Sequence, residues 1–220
     1  MTVQGKTCWT AGLETLETWL ASAPLAFDSL KDPQAEYMSC SPLFATTYWE
    51  PLEHLPWRVP LPQDEFVDRW TAEATRRKGL DTNRIPGLKA RARRAYPSLV
   101  REHHLRVLME ASGKFAATMR DMAVDMAGID IMGVYKGVAF GIRSHHHSNR
   151  SRQYRQYKDT KPQLHLPILF DLTPDARIGL FDVHSQAQVE WMVDYLELLL
   201  SKSEAGSVFH ATRIISWDEE

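Results

Sequence analysis

The chain has 220 residues, 44% of them hydrophobic and 25% charged, with a formal net charge of −2. It is long enough to bury a core without covalent staples, and too ordinary in composition for a disordered chain, a collagen-like repeat or a disulfide scaffold. Its two cysteines, Cys8 and Cys40, have no Cys-x-x-Cys spacing for structural zinc or a redox cycle. No basic-then-apolar leader opens the chain and no run approaches the roughly 18 apolar residues of a membrane span, so a cytoplasmic protein with reduced thiols is expected.

In chain order, the first eighty residues read as helices joined by Pro-containing loops: Leu13 to Ala21, a Pro-rich stretch from Pro51 to Pro62, then Asp64 to Lys78 closed by Gly79. Five of the seven tryptophans lie here; packing is the simpler reading of them and base stacking the alternative. A helix is predicted from Pro97 to Ala111, with Pro97 in its first turn and Gly113 past its end, and a second amphipathic segment from Phe115 to Met126. Two short β-type runs follow, GIDIMGV and GVAFGIR, separated by Tyr135 and Lys136, which predicts a hairpin. Beyond it come a basic helix near Asn149 to Lys158, strands near Leu164 to Leu172 and Ile178 to Val183, a helix from Ser185 to Leu200, and a last strand near Val208 to Ser216. The expected fold is of the α/β (α+β) class: a central mixed sheet flanked by helices over residues 86–220, preceded by a helical, Trp-rich region over residues 1–85 that could serve recognition or a dimer contact.

Charge is sorted along the chain. Between Arg84 and Lys161 stand 16 Lys and Arg against 6 Asp and Glu, so the remainder is strongly acidic. The densest part, RSHHHSNRSRQYRQYKDTK from Arg143 to Lys161, interleaves Tyr154 and Tyr157 with six cations. Arg150, Arg152, Tyr154 and Arg155 are candidate contacts to a nucleic-acid backbone, which would be salt-dependent and indifferent to sequence; a solvated helix face is the bland alternative.

Two acids stand where acids are costly. Asp130 sits among Ile129, Ile131 and Met132, and a carboxylate in a buried strand has to be paired, protonated or bound to a cation, unless it is simply a turn residue at the strand's start. Glu102 shares a helix face with Leu99, Leu105 and Met109; it either pairs with Arg106 one turn on or meets Asp130 in an oxygen-rich site suited to Mg²⁺ or Mn²⁺. His145, His146 and His147 are adjacent, so they cannot easily hold one ion from a strand, and phosphate contact or proton transfer by one of them is the better use. His103 and His104 read as packing or surface residues, and His184 carries no assigned role. No Gly-x-Ser-x-Gly elbow and no phosphate-binding Gly-x-x-x-x-Gly-Lys loop is present.

From Ser98 to Leu172 this order resembles the PD-(D/E)XK nuclease superfamily, with its restriction-endonuclease-like fold. There a helix precedes a hairpin that carries a metal-binding Asp and then an acid-x-Lys tripeptide. The resemblance implies that Glu102 is the helix carboxylate, Asp130 the hairpin aspartate, and Gly141-Ile142-Arg143 the tripeptide. Glycine offers no ligand at that place, so the acid would come from Glu102 and the lysine's role from Lys158 or Arg143. It further implies a Mg²⁺-dependent endonuclease of the restriction or defence kind, acting on DNA in preference to RNA, with a homodimer as the natural route to cutting both strands. A non-catalytic nucleic-acid-binding subunit of a defence or repair assembly is the second expectation, and a protein-interaction module the third.

Overall fold

The computed structural model describes residues 2–37, 41–53, 59–79, 81–120, 125, 128–145, 166–203 and 213–217. Helix α1 (Thr2–Ser22) is followed by the short α2 (Pro33–Tyr37) and α3 (Ser41–Phe44), a π-helical turn over Ala45–Trp49, and α4 (Glu50–Glu53). Helix α5 (Gln63–Lys78) begins after Pro62 with Asp64 and Glu65 in its first turn and stops at Gly79, which takes a left-handed conformation. Acids at the amino end and glycine past the carboxyl end are what the helix dipole and the orphan carbonyls favour.

The helix predicted from Pro97 is the second half of a longer one. Helix α6 (Ile85–Ser112) carries Pro86 in its first turn, Pro97 in its interior and Gly113 as its left-handed cap. An interior proline forfeits a hydrogen bond at a cost of about 3 kcal/mol. Burial of Tyr96, Leu99 and Val100 around it, worth roughly 1.5–3 kcal/mol each, outweighs that cost.

The segment predicted as helical from Phe115 instead enters the sheet as strand β1 (Ala117–Met119). Gly113 has already closed α6, the amide of Ala116 donates to Val134 O at 2.8 Å, and the amide of Thr118 donates to Glu110 Oε1 at 2.9 Å. These pairings satisfy the backbone along an edge, which a solvent-facing helix of this composition would not improve upon.

Strands β2 (Ile131–Tyr135) and β3 (Val138–Ser144) form the expected hairpin, joined through Lys136 and Gly137, both with positive φ. Two successive left-handed residues match the twist of the flanking strands, and glycine at the second makes the turn inexpensive. Then come β4 (Ile168–Leu172), a small β5–β6 hairpin (Ala176–Ile178 and Phe181–Val183), helix α7 (Gln186–Ser203) and β7 (Arg213–Ser216). The five-stranded sheet has the order β1-β2-β3-β4-β7, antiparallel from β1 to β3 and parallel from β3 to β7. The fold is thus α+β: a mixed sheet with flanking helices and a helical region ahead of it.

Two apolar cores share α6. One joins Leu16 and Leu20 of α1, Phe66 and Trp70 of α5, and Leu88, Tyr96 and Val100 of α6 to Phe181 and Val183. The other joins Leu105 and Met109 of α6 to Phe140, Ile142, Phe170 and Leu172 of the sheet and to Val189, Met192 and Leu196 of α7. Trp49 and Trp70 are buried, and Trp9 and Trp19 pack, partly buried, against the first core.

Part of the basic excess is neutralised inside the fold. Arg84 pairs with Asp32 at 3.1 Å, Lys89 with Asp68 at 2.8 Å, Arg93 with Asp28 at 3.4 Å, and Arg94 with Glu36. The amino-terminal half of α6 thereby clamps the elements before it, with Arg91 donating to the Ala35 carbonyl. Among the described residues no helix is long and apolar enough to cross a membrane.

Gly133 lies directly under the ring of Phe140, its cross-strand partner, with no room for a Cβ. Gly133→Ala should lower stability by about 1–3 kcal/mol through overpacking, read as a lower urea midpoint with an unchanged slope; a midpoint equal to wild type would show that the ring moves aside freely.

Candidate active site

The polar groups collect at one end of the sheet, where β3 and β4 terminate side by side and β2 begins. In open sheets with parallel strands this carboxyl-terminal edge is where ligands bind.

Glu102 points inward from α6 and is 7% exposed. Its partner is not Arg106 but Arg120, just past β1, whose guanidinium lies 3.0 Å from Glu102 Oε2 and 3.8 Å from Asp125. That guanidinium also stacks 3.9 Å above the Trp49 ring. The π-helical turn thus places an aromatic face under the cation, an arrangement of a kind such turns often supply at functional sites. Burial pushes the Glu102 carboxyl up to about 8; Arg120 pulls it down, while Asp130 and Asp125 push it further up. The ion pair and the burial act in opposite directions, and burial is the larger.

Asp130 precedes β2. Its amide donates to Ile142 O at 2.8 Å, and its Oδ2 accepts from the amide of Ser144 at 2.7 Å. This is more than a turn at a strand's start, since the side chain ties the hairpin's two strands together. Asp130 lies close enough to Glu102 to help push that carboxyl up.

Arg143 is buried in β3, donates from Nε to Gly128 O at 3.1 Å and stands across from Asp171 in the β3–β4 register. His145 Nδ1 lies 2.8 Å from Asp171 Oδ1. Of the histidines on α6, both are buried; His104 meets Glu17 at 3.2 Å and His103 packs edge-on to Trp49. Lys158, Arg150, Arg152, Tyr154, Arg155, His146 and His147 lie outside the described residues.

Sequence reasoning missed the hub of the site. Arg101 Nε donates to Ser144 Oγ at 3.0 Å, and Ser144 Oγ is 2.7 Å from His184 Nε2. His184 Nδ1 is 2.6 Å from Gln188 Oε1, and Gln188 Nε2 donates to Thr173 O at 2.6 Å. The Thr173 carbonyl can only accept, so Gln188 turns its Nε2 to it and its Oε1 to His184, which fixes the direction of the whole chain. Ser144 accepts from Arg101 and donates to Nε2, so the neutral imidazole carries its proton on Nδ1 and gives it to Gln188. Burial holds His184 down at about 3, reinforced by Arg101, His104 and His145 and opposed by the Gln188 bond. Ser144 is therefore the junction, with its amide on Asp130 and its hydroxyl between Arg101 and His184. Its hydroxyl is locked in a buried structural chain rather than offered as a nucleophile. Asp171 shows the same sequence anomaly as Asp130, an acid in an apolar strand, and the same rule finds it; Ser144 and Gln188 carry no such mark.

Among the described residues no three His, Cys, Asp or Glu side chains converge as a ready-made metal ligand set. Compared with protein-family models, curated proteins and solved structures, the chain matches none.

His184→Ala would leave the Ser144 hydroxyl and the Gln188 carbonyl without their partners and open a small cavity, for an expected loss of about 2–4 kcal/mol. The pH dependence has a definite sign. The folded pKa of His184 lies near 3, below its ordinary 6.5, so its contribution is full above about pH 6.5 and lost as pH falls toward 3. Urea midpoints measured between pH 7 and pH 4 should fall more steeply for wild type than for His184→Ala; equal slopes would remove His184 as the source.

Proposed function

We propose that the protein is a metal-dependent nuclease that hydrolyses phosphodiester bonds in DNA, acting in the cytoplasm as a homodimer. One observation carries the reading: Glu102 from α6 and Asp130 from the head of the hairpin, 28 positions apart, meet electrostatically at the carboxyl-terminal edge of β3 and β4. The order of helix, hairpin and parallel strand around them agrees with the superfamily that the sequence resembles.

The donor chemistry fits Mg²⁺ or Mn²⁺. Glu102, Asp125 and Asp130 gather around Arg120, and burial favours the protonated Glu102 carboxyl, which a bound cation would draw into its charged form. Hard divalent cations of this size commonly take one or two protein carboxylates and complete their shell with water and substrate phosphate, so two acids suffice. When bound, such a cation lowers the pKa of water and offsets charge developing on the phosphate.

The chain's own residues do the positioning. The Ser144 amide holds the Asp130 carboxylate, while Arg101 and His184 hold Ser144, so the acid keeps one orientation without solvent reorganisation. Asp171 lies against His145 at the end of β3, and in this reading that imidazole is the group that passes a proton. Arg143 supplies a fixed positive charge at the same edge. In this reading Lys158 supports the scissile phosphate, and Arg150, Arg152, Tyr154 and Arg155 contact the backbone of the nucleic acid.

A second reading rests on Arg120. Its guanidinium already neutralises Glu102, and Gly141 stands where the family carries an acid, which suits a non-catalytic nucleic-acid-binding subunit.

Plasmid DNA incubated with the protein and Mg²⁺ separates the two. Nicking is expected, with Asp130→Asn slowing it on the order of 100-fold or more while salt-sensitive DNA binding persists. Cleavage by Asp130→Asn at the wild-type rate would remove that residue from the chemistry, and DNA binding with no cleavage by any form would leave the second reading standing.

A further inference from the structure

Arg120 stands where the proposed metal site needs a cation. Its guanidinium donates from Nη2 to Glu102 Oε2 at 3.0 Å, lies 3.8 Å from Asp125 Oδ1, and stacks 3.9 Å above the Trp49 ring. The side chains of Arg120 and Glu102 are each only 9% exposed, so water does little to weaken the pair.

For a buried charge, the guanidinium is held loosely. Arg120 Nε is buried and has no hydrogen-bond acceptor among the described residues, so charge and the ring keep the group in place without a full set of directed bonds. The Trp49 face fixes its height but not its position along the ring plane, because attraction to a π face has little in-plane direction. Trp49 itself cannot follow, since it is buried with the Tyr48 ring at 4.9 Å and the His103 ring at 6.1 Å. The main chain beside Arg120 is also fixed: Met119 pairs with Met132 in the β1–β2 ladder, and the amide of Thr118 donates to Glu110. The mobile part is a long side chain lying flat on a ring with two acids in reach, one hydrogen-bonded and the other at ion-pair distance. Such an arrangement has two discrete settings. In one, Arg120 neutralises Glu102. In the other, it neutralises Asp125 and leaves both Glu102 oxygens open. A divalent cation and a guanidinium repel each other and seek the same carboxylate lone pairs, so occupancy of Glu102 and Asp130 by the cation favours the second setting.

We propose that Arg120 is a resident counter-cation of the site: it holds Glu102 in the ion's stead, and gives it up to a divalent cation by moving along the Trp49 face to Asp125. The proposal rests on Glu102 and Asp130 being the metal site, and it accounts for an arginine seated on an acid that the reaction needs.

The full chain is titrated with Mn²⁺, and free ion is counted by its electron paramagnetic resonance signal. Arg120→Gln should bind Mn²⁺ about tenfold more tightly than wild type or better, and Asp125→Asn about threefold more weakly. The Asp125→Asn effect should vanish in the Arg120→Gln background, because Asp125 acts through Arg120 alone. With Mg²⁺ and wild-type protein, the indole N–H resonance of Trp49, identified by Trp49→Phe, should shift and saturate as the guanidinium crosses its ring; this readout needs no change at the buried pair. Equal or weaker Mn²⁺ binding by Arg120→Gln would overturn the proposal. So would a Trp49 resonance that stays still while the ion binds, or an Asp125→Asn loss of the same size in both backgrounds, which would make Asp125 a ligand. Mn²⁺ bound by no form, or bound equally by Asp130→Asn, would remove the metal site itself and the proposal with it.

Discussion

Four successive polar residues, Arg101, Glu102, His103 and His104, are buried in the middle of α6, and none of them can rely on bulk water. A buried charge or imidazole without partners costs several kcal/mol, so the surrounding elements are placed to provide them. Arg120 and Trp49 answer Glu102, Ser144 answers Arg101, Glu17 answers His104, and the Trp49 edge packs on His103. The helical layer, the β1 edge and the end of β3 are thereby fastened to one helix turn. Ordinary apolar packing would have served stability as well or better, so retaining this polar girdle suits a site whose geometry must be held in one arrangement.

Charge along the chain has two destinations. From Arg84 to Arg94 much of it is paired within the fold, where Asp28, Asp32 and Glu36 tether the segment ahead of α5 and Asp68 ties α5 itself to α6. At the sheet edge it is balanced more locally, with Arg101, Arg120 and Arg143 set among Glu102, Asp125, Asp130 and Asp171. Linear charge counts cannot separate these cases, because a cation facing an acid sixty positions away looks the same in sequence as one facing solvent.

The sheet was legible because its hairpin has both alternating apolar runs and a turn demanding left-handed residues at Lys136 and Gly137. The carboxyl ends of α5 and α6 were legible from Gly79 and Gly113; α1 was read only over Leu13 to Ala21 of its Thr2–Ser22 span, and α6 was read too short because Pro97 is a helix-breaker by local rules and is overruled only by burial. Strand β1 was missed since three residues on an edge carry no periodicity. At the site, Glu102 and Asp130 betrayed themselves as acids in apolar surroundings, and the same signal at Asp171 passed unused. Arg120, Ser144 and His184 are invisible by such rules: each has an unremarkable neighbourhood in sequence, and their meaning arises from contacts spanning 18 to 43 positions.

Helix α6 belongs to both apolar cores, so the helical layer and the sheet cannot loosen independently. Tyr96 and Val100 are anchored among α1, α5 and β6, while Leu105 and Met109 are anchored among the strands and α7, and Glu102 sits on the turn between these anchor points. A change in packing as remote as Leu16 or Trp70 would reach Glu102 by rotating or sliding the rod that carries it. The N-terminal helices thus act as a bearing for the site, and damage to either core reaches the other through α6.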